Sequence, residues 1–311
     1  MDPDLSSFLD YLRAECGLAD NTLIAYRHDL ELLLASLGGS PLVEATRDDL
    51  LRFLAAEGKR TSGVTVSRRI AAIRMFYRFL RSENPRAADP SGILERPETW
   101  DRLPRVLSPG DVAALLAAPA AEMKAQLGRK RASFQRALYL RDTALLETLY
   151  ATGCRASEVA DLELAAVSLD IGYLRCRGKG AKERIVPVGS SARAAISEYL
   201  DRGRPVLAGL RPGGAVRKKS PFLFLSRSGA RLDRTNVWRL VKYYLAAAGV
   251  HKPASTHTLR HSFATHMLQG GAGLRVIQEM LGHSSPTTTQ IYTHLDRRAL
   301  IEAHRKFHPR G

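Results

Sequence analysis

The chain has 311 residues, 45% of them hydrophobic, with a formal net charge of +16 and a pI near 10.1. This length exceeds what one hydrophobic core usually supports, so we expect two domains. The sequence has no apolar run of eighteen residues and no signal-peptide core, which argues against a membrane protein and favours a cytoplasmic one. Its three widely spaced cysteines argue against a disulfide framework and against a cysteine metal site.

The first ninety residues predict a bundle of four helices, because apolar residues recur there at helical spacing. Asn21 or Thr22 is placed to cap the second helix and Gly38 to end it, while Thr46 precedes the third helix and Gly58 follows it. The apolar stripes consist of Leu5, Phe8, Leu9 and Leu12; Leu23, Tyr26, Leu30, Leu33 and Leu37; Leu50, Leu51 and Leu54; and Val66, Ile70, Ile73, Tyr77 and Leu80.

The fourth predicted helix also carries four arginines, which we assign to its outer face. These are Arg68, Arg69, Arg74 and Arg78. Arginines on such a face either project into solvent or contact DNA phosphates, and the sequence does not separate these two interpretations.

The composition changes after the bundle. Between Ser82 and Pro104 the sequence has four prolines and no sustained apolar period, which indicates an interdomain linker. We therefore predict an N-terminal helical domain over residues 1–84, a linker over 85–106 and a C-terminal domain over 107–311.

The second domain is predicted to mix helices and strands. Ser108 and Pro109 are typical of a helix start, and a helix over Arg141–Tyr150 ends near Gly153. The stretch Glu122–Arg136 is either a loop or a helix extension. Strands are predicted at Tyr173–Cys176, Arg184–Val188 and Phe222–Ser226, and further helices at Asn236–Ala248, His257–Gln269 and Leu274–Leu281. The expected fold is mainly α: a helical bundle, then an α+β domain with a small three-stranded antiparallel sheet.

The positive charge is concentrated in one part of the second domain. Between Asp201 and Arg260 there are thirteen Lys or Arg residues and two acids, so this segment supplies 11 of the 16 net charges. Solubility alone does not require such a one-signed concentration. A polyanionic partner explains it better, and nucleic acid is favoured over a membrane because no basic amphipathic anchor accompanies the charge.

Four motifs concentrate the polar groups that a phosphodiester reaction needs. They are ATGCRASE, RGKGAKER, THTLRHSF and LGHSSPTTTQIYTHL, and they supply Arg155, Lys179, His257, Arg260, His283 and Tyr292. Taken singly, each is weak, because an arginine or a hairpin lysine is more often a solvated surface residue. A metal site is disfavoured: His257 and His261 have zinc-protease spacing, but no glutamate lies between them and Arg260 would repel a cation.

Together, these motifs resemble the tyrosine recombinases of the phage integrase family, and among them most closely the bacterial Xer type. NTLIAYRHDL in the first domain and the terminal HPR are similar to that type as well. The resemblance implies a SAM-like, DNA-clamping N-terminal domain and a C-terminal catalytic domain. It also implies a site-specific recombinase that resolves chromosome dimers at a dif-like site in double-stranded DNA, without metal or other cofactor. Its implied assembly is a homo- or hetero-tetramer, with a paralogous recombinase, on two DNA sites.

The resemblance also implies a role for each polar residue. Arg155 and Arg260 would hold the non-bridging oxygens of the scissile phosphate, and Tyr292 would attack its phosphorus to form a 3′-phosphotyrosyl intermediate. A free tyrosine, with a pKa near 10, is a poor nucleophile at neutral pH, and surrounding cations favour its phenolate.

The remaining implied roles concern protons and orientation. Lys179 would protonate the leaving 5′-oxygen, with Lys182 as a close competitor for that role. His257 would exchange the tyrosine proton and His283 would hydrogen-bond the phosphate. Glu158 would orient its neighbours rather than react.

Some alternatives stay open at this point. A mobile-element integrase uses the same chemistry, and a non-catalytic architectural DNA-binding protein would share the basic charge without needing the six polar residues. The segments Ala117–Gln135 and Leu210–Ser220 resemble surface insertions. The tail ALIEAHRKFHPR either folds back onto its own domain or docks on a neighbouring subunit, and the family resemblance favours docking.

Overall fold

A computed structural model describes most of the chain as two compact units, Met1–Arg102 and Leu103–Gly311. Each unit has its own buried apolar core. The described residues are 2–16, 18, 20–84, 88–94, 106–125, 132–178, 183–209, 220–282 and 294–311.

The N-terminal unit is a helical bundle, as predicted. Its helices are α1 (Pro3–Ala14), α2 (Asp20–Ser36), α3 (Arg47–Gly58) and α4 (Gly63–Glu83), with short 3-10 turns at Leu42–Glu44 and Pro90–Ile93. The predicted stripes of α1 and α4 are buried throughout. In α3 the prediction of Leu51 is wrong: Leu51 is 42% exposed, and Phe53 takes the core position with Leu50, because i and i+3 share a helix face.

Polar caps fix where these helices begin. Asp49 N donates to Thr46 Oγ1 at 3.3 Å and Thr46 N to Asp49 Oδ2 at 2.8 Å, so Thr46 starts α3 through a capping box. Helix α2 begins at Asp20, which places Asn21 and Thr22 in its first turn rather than at the predicted cap. It ends before Gly38, which adopts a left-handed φ of 64°.

The arginines of α4 do not all lie on an outer face, so that prediction is wrong for Arg69. This side chain is buried and pairs with Asp29 of α2 and Glu57 of α3. Arg68 pairs with the same aspartate, and Arg74 donates to Leu94 O. A buried guanidinium needs such carboxylate partners, and the helical period did not reveal them.

The C-terminal unit surrounds a small sheet with helices, which confirms the predicted α+β class. Its helices are α5 (Pro109–Ala125), α6 (Ala132–Thr152), α7 (Ala156–Ala160), α8 (Ser190–Glu198), α9 (Arg204–Gly209), α10 (Arg234–Ala247), α11 (Thr256–Gln269), α12 (Leu274–Leu281) and α13 (His294–Phe307). A π-helical turn, Tyr199–Gly203, joins α8 to α9. Thus the helical parts of Glu122–Arg136 extend α5 and α6.

Helix α6 is the central element of this unit. Almost every residue from Ala137 to Thr152 is buried, and the helix packs against α5, α8 and α11. A helix that is buried on all sides belongs to the core of its domain. It ends where Gly153 adopts a left-handed φ of 59°, and a Cβ at this glycine would lie 2.5 Å from Phe263.

The sheet has three antiparallel strands, but the third strand differs from the predicted one. The order is β1 (Val167–Ser168), β2 (Tyr173–Arg177) and β3 (Glu183–Pro187), with Cys176 opposite Arg184. The segment Phe222–Ser226 is instead an irregular, largely buried segment with isolated bridges to Glu163 and Arg231, in which Leu223 N donates to Leu162 O at 2.7 Å. A short apolar run reads the same for a buried strand and for a buried irregular segment.

The tail helix α13 packs against its own unit in this single chain. His304 is buried and its Nε2 donates to Ala151 O at 2.8 Å, while Arg310 pairs with Glu147 at 2.6 Å. Docking of this tail on a second subunit stays a prediction. Of Leu210–Ser220, only Ser220 lies within the described residues. Within these residues, no helix combines the length and apolar character needed to cross a membrane.

Candidate active site

The first predicted site residue, Arg155, stands at a turn between two helices. After α6 ends at Gly153, Arg155 has an extended backbone (φ −71°, ψ 152°) and occupies the N-cap of α7. Its backbone N donates to Glu158 Oε2 at 2.8 Å, and its Nη1 donates to Glu158 Oε1 at 2.9 Å. The side chain remains 43% exposed, so one edge of the guanidinium is free to meet a ligand.

The second, Arg260, approaches the same turn from α11. It is buried, its Nη1 donates to Gly153 O at 2.7 Å, and its Nη2 donates to Leu281 O at 2.6 Å. The Gly153 carbonyl directly follows α6, and the Leu281 carbonyl belongs to the last turn of α12. Carbonyls at such helix ends have no partner within the helix. Arg260, which lies 105 positions after Arg155 in the sequence, therefore joins the turn that carries Arg155 to the end of α12.

The two arginines share one cationic cluster. Burial and the nearby charge of Arg155 together lower the pKa of Arg260 to about 10. Burial opposes ionisation of Glu158, but hydrogen bonds and charge from Arg184, together with Arg155, outweigh it and lower the pKa of Glu158 to about 2. Glu158 is therefore a carboxylate at neutral pH.

The charges in this cluster do not balance. Arg155, Arg184 and Arg260 face a single carboxylate, Glu158, among the residues that the structure describes. Buried charges are ordinarily paired, so an excess of guanidinium groups favours an anion supplied from outside. A phosphate with two non-bridging oxygens fits such a surplus.

His257 lies on the first turn of α11, one turn before Arg260. A capping interaction orients this turn, because Ser255 N donates to Thr258 Oγ1 at 3.1 Å. The imidazole is exposed. It has no hydrogen-bond partner among the described residues, so it is accessible to a substrate.

The other three predicted site residues, Lys179, His283 and Tyr292, lie outside the described residues, as does Lys182. Their chain neighbours are described: β2 and β3 bracket the two lysines, while α12 precedes His283 and α13 follows Tyr292. Their convergence on the two arginines stays a prediction. Among the described residues, no three His, Cys, Asp or Glu side chains are grouped as they would be to hold a metal ion.

The sequence did not indicate Arg184, which the structure places in the centre of the cluster. This arginine is buried and pairs with Glu158 through both Nη atoms, at 2.8 and 2.7 Å. A signal was available: in ERIVP, alternation puts Arg184 on the same inward face as Val186.

Comparison with known proteins places this site in a family. The sequence profile of the phage integrase family matches residues 108–298, and that of the phage integrase N-terminal SAM-like domain matches residues 5–84. The chain is 42% identical to the tyrosine recombinase XerD of Chlorobaculum tepidum, over 99% of this chain and 96% of that protein. It is 41% identical to the tyrosine recombinase XerD of Pseudomonas putida, over 99% and 98%.

Solved structures show the same fold. A lambda integrase tetramer bound to a Holliday junction matches with a TM-score of 0.66 and 16% identity, over 93% of this chain and 79% of that chain. XerH bound to a palindromic difH substrate, in a post-cleavage complex, matches with a TM-score of 0.66 and 21% identity, over 96% and 83%. With its profile matches and XerD relatives, the chain belongs to the phage integrase family, the tyrosine recombinases, which break and rejoin DNA strands.

Proposed function

We propose that this chain is a site-specific recombinase that cleaves and rejoins double-stranded DNA through a 3′-phosphotyrosyl intermediate on Tyr292. The observation that carries the proposal is the surplus of guanidinium charge at Arg155 and Arg260. One edge of Arg155 is exposed, and Arg260 is fixed beside it by two carbonyls. Fixed donors of this kind stabilise the charge that develops on the non-bridging oxygens of a pentacoordinate phosphate.

The proposed reaction conserves the phosphoester. The Tyr292 oxygen bonds to phosphorus while the bond from phosphorus to the 5′-oxygen breaks. His257 accepts the phenol proton and Lys179 gives a proton to the leaving 5′-oxygen, while His283 hydrogen-bonds the phosphate. Attack by a 5′-hydroxyl of another strand reverses these steps, so religation needs no ATP and no metal.

The relatives support a more specific role. The XerD proteins match almost the full chain, and the XerH neighbour is bound to a difH substrate. We infer that the chain acts at a dif-like site and resolves chromosome dimers. The lambda integrase neighbour is a tetramer on a Holliday junction, which supports assembly of four subunits, of one kind or with a paralogous recombinase, on two DNA sites.

A nicked suicide duplex tests this function. It carries a candidate site from the replication-terminus region and a nick beside the scissile phosphate, so that cleavage releases a short strand and traps the enzyme. We expect the wild type to become covalently attached to the DNA in a denaturing gel. Tyr292→Phe should bind the duplex without attachment, because it lacks the attacking oxygen.

A matched control comes from a second tyrosine. Tyr243 is half exposed on α10, and among the described residues its hydroxyl hydrogen-bonds Glu122 alone, at 3.3 Å, so Tyr243→Phe should attach like the wild type. Equal attachment by Tyr292→Phe would refute the assignment of the nucleophile. Tight binding without any attachment by the wild type would favour the architectural DNA-binding alternative.

A further inference from the structure

Arg184 on β3 contacts both the carboxylate and the helix end that surround the two predicted arginines, among the residues that the structure describes. Its two Nη atoms bond both oxygens of Glu158, its Nε donates to Met280 O at 2.8 Å, and Nη2 lies 3.7 Å from Cys154 Sγ. Only 6% of this residue is exposed, so its guanidinium has little access to a large ligand. Its effect on a substrate would therefore act through other groups.

One of these groups is Arg155. The carboxylate of Glu158 is shared: it accepts two bonds from Arg184 and two from Arg155, at the backbone N and at Nη1. Without Arg184, Arg155 would be the one guanidinium among the described residues that still hydrogen-bonds this carboxylate. A carboxylate and a guanidinium form a strong bidentate pair, which would turn Arg155 towards Glu158 and cancel its charge.

Another group is the end of α12. Arg184 donates a hydrogen bond to Met280 O and Arg260 donates one to Leu281 O, so the two arginines bind neighbouring carbonyls. The next residue, Gly282, adopts a left-handed φ of 65°, and a Cβ there would lie 2.9 Å from Arg184 Cδ. Arg184 thus fixes the last turn of α12, three residues before His283 in the sequence.

We propose that Arg184 is a positioning residue for DNA strand cleavage: by occupying Glu158, it leaves the charge and the free edge of Arg155 for the scissile phosphate. The inference rests on the proposed function. A positioning role and a purely structural role predict different results when Glu158 is also removed. If Arg184 acts by occupying Glu158, removing the carboxylate should restore part of the cleavage rate that the loss of Arg184 takes away.

A double-mutant cycle on the suicide duplex tests this prediction. Arg184→Met should lower the rate of covalent attachment by about 10²-fold, the scale of losing one fixed donor, while the dissociation constant for DNA stays within about threefold. Adding Glu158→Gln should raise the rate by about tenfold above that of Arg184→Met alone, because no carboxylate then competes for Arg155. A structural role predicts the opposite, since the double variant would lose still more packing and hydrogen bonding.

A second substrate separates the two roles even if Arg184→Met fails to fold. Arg184→Lys keeps the charge but loses the fork that binds both oxygens of Glu158, so we expect about tenfold slower attachment on the natural phosphate. On a duplex with a neutral methylphosphonate at the scissile position, the variant should approach the wild-type rate, because less charge needs to be neutralised there. An equal defect on both substrates, or no defect on either, would overturn the inference.

Arg141→Lys is the matched control. Arg141 is also buried in this unit, pairs with a carboxylate, Asp142, at 2.6 Å, and donates to the carbonyl of Leu225 at 3.1 Å. It makes no polar contact with Arg155, Glu158, Arg184, His257 or Arg260, the site residues that the structure describes. The Arg141→Lys substitution should lower the free energy of unfolding of the C-terminal unit without changing the rate of covalent attachment per folded molecule. If the wild type itself never attaches, the proposed function fails. If the wild type attaches and both Arg184 variants match it, only the inference fails.

Discussion

Two clusters of arginine and carboxylate side chains, one in the helical bundle and one at the candidate site, are built from the same groups in different proportions. In the bundle, Arg68 and Arg69 meet Asp29 and Glu57, two charges of each sign, and the mostly exposed Arg60 adds a longer contact of 3.8 Å to Glu57. At the site, three arginines meet one glutamate among the described residues. Both clusters include buried side chains, Asp29 and Arg69 in the bundle and Glu158 and Arg184 at the site, so desolvation disfavours charge in each of them.

The difference shows what burial alone does not reveal about function. A balanced cluster satisfies its own charges, and its natural role is to join helices α2, α3 and α4. An unbalanced cluster is electrostatically incomplete, which is unfavourable for folding and useful for binding an anion. The proportion of the two charges, rather than the presence of buried arginine, therefore distinguishes the candidate site from a structural network.

The largest contrast should come from removing one arginine from each cluster. Arg69→Met leaves Asp29 and Glu57 without a buried partner and should lower the free energy of unfolding of the bundle by about 3–5 kcal/mol. Arg155→Met removes a 43% exposed group and should change the free energy of unfolding by less than about 1 kcal/mol, while slowing covalent attachment by about 10²- to 10³-fold.

Urea titrations followed by hydrogen exchange, peptide by peptide, report the two units separately, and the suicide duplex reports attachment per folded molecule. Arg69→Met should attach at nearly the wild-type rate once the folded fraction is corrected for. The distinction between the two clusters would be wrong if Arg155→Met attached at the wild-type rate and destabilised its unit as much as Arg69→Met destabilises the bundle.

Lowering the pH should change the free energy of unfolding in opposite directions through Glu158 at the site and Asp29 in the bundle. The pKa of Glu158 is lowered from 4.5 to about 2, so its contribution to stability is complete above pH 4.5 and is lost as the pH falls towards 2, by up to about 3 kcal/mol. The pKa of Asp29 is raised, chiefly by burial and against the pull of Arg68 and Arg69. Its contribution to stability therefore increases as the pH falls through that raised pKa.

Unfolding free energies of each unit between pH 2 and 6 measure this contrast. Glu158→Gln should flatten the acid loss in the C-terminal unit, and Asp29→Asn should remove the opposing rise in the bundle. A C-terminal unit whose acid sensitivity is unchanged by Glu158→Gln would show that other carboxylates control it.

Much of the fold could be predicted from local sequence patterns. The contacts within the two clusters could not, because they join residues that are far apart in the sequence. Apolar spacing located α1 and α4, because a helix face is a local property of the sequence. Arg69 was misplaced because its partner Asp29 lies 40 residues earlier, on another helix. The segment Phe222–Ser226 was misplaced because its backbone partners lie outside the sheet.

The site divides in the same way. Arg155 and Arg260 were recognised through motifs, and the structure brings both to Gly153 and its neighbours. Arg184 was missed because its importance lies in partners 26 and 96 positions away, Glu158 and Met280, which no local motif joins. Its inward place in the alternation of β3 was the one available signal. Lys179, His283 and Tyr292 remain predictions.

The smallest expected effect is the stabilisation of the C-terminal unit by a small anion. Inorganic sulfate should bind the surplus cations and raise the free energy of unfolding of the C-terminal unit by about 1 kcal/mol at 50 mM, for a dissociation constant of about 10 mM. Sulfate also stabilises proteins generally, so the bundle supplies the internal baseline and sodium chloride at equal ionic strength the external one. The gain above that baseline should disappear in Arg155→Met and persist in Arg69→Met, because only the first lowers the charge surplus. Equal gains in both units would mean that sulfate recognises neither cluster.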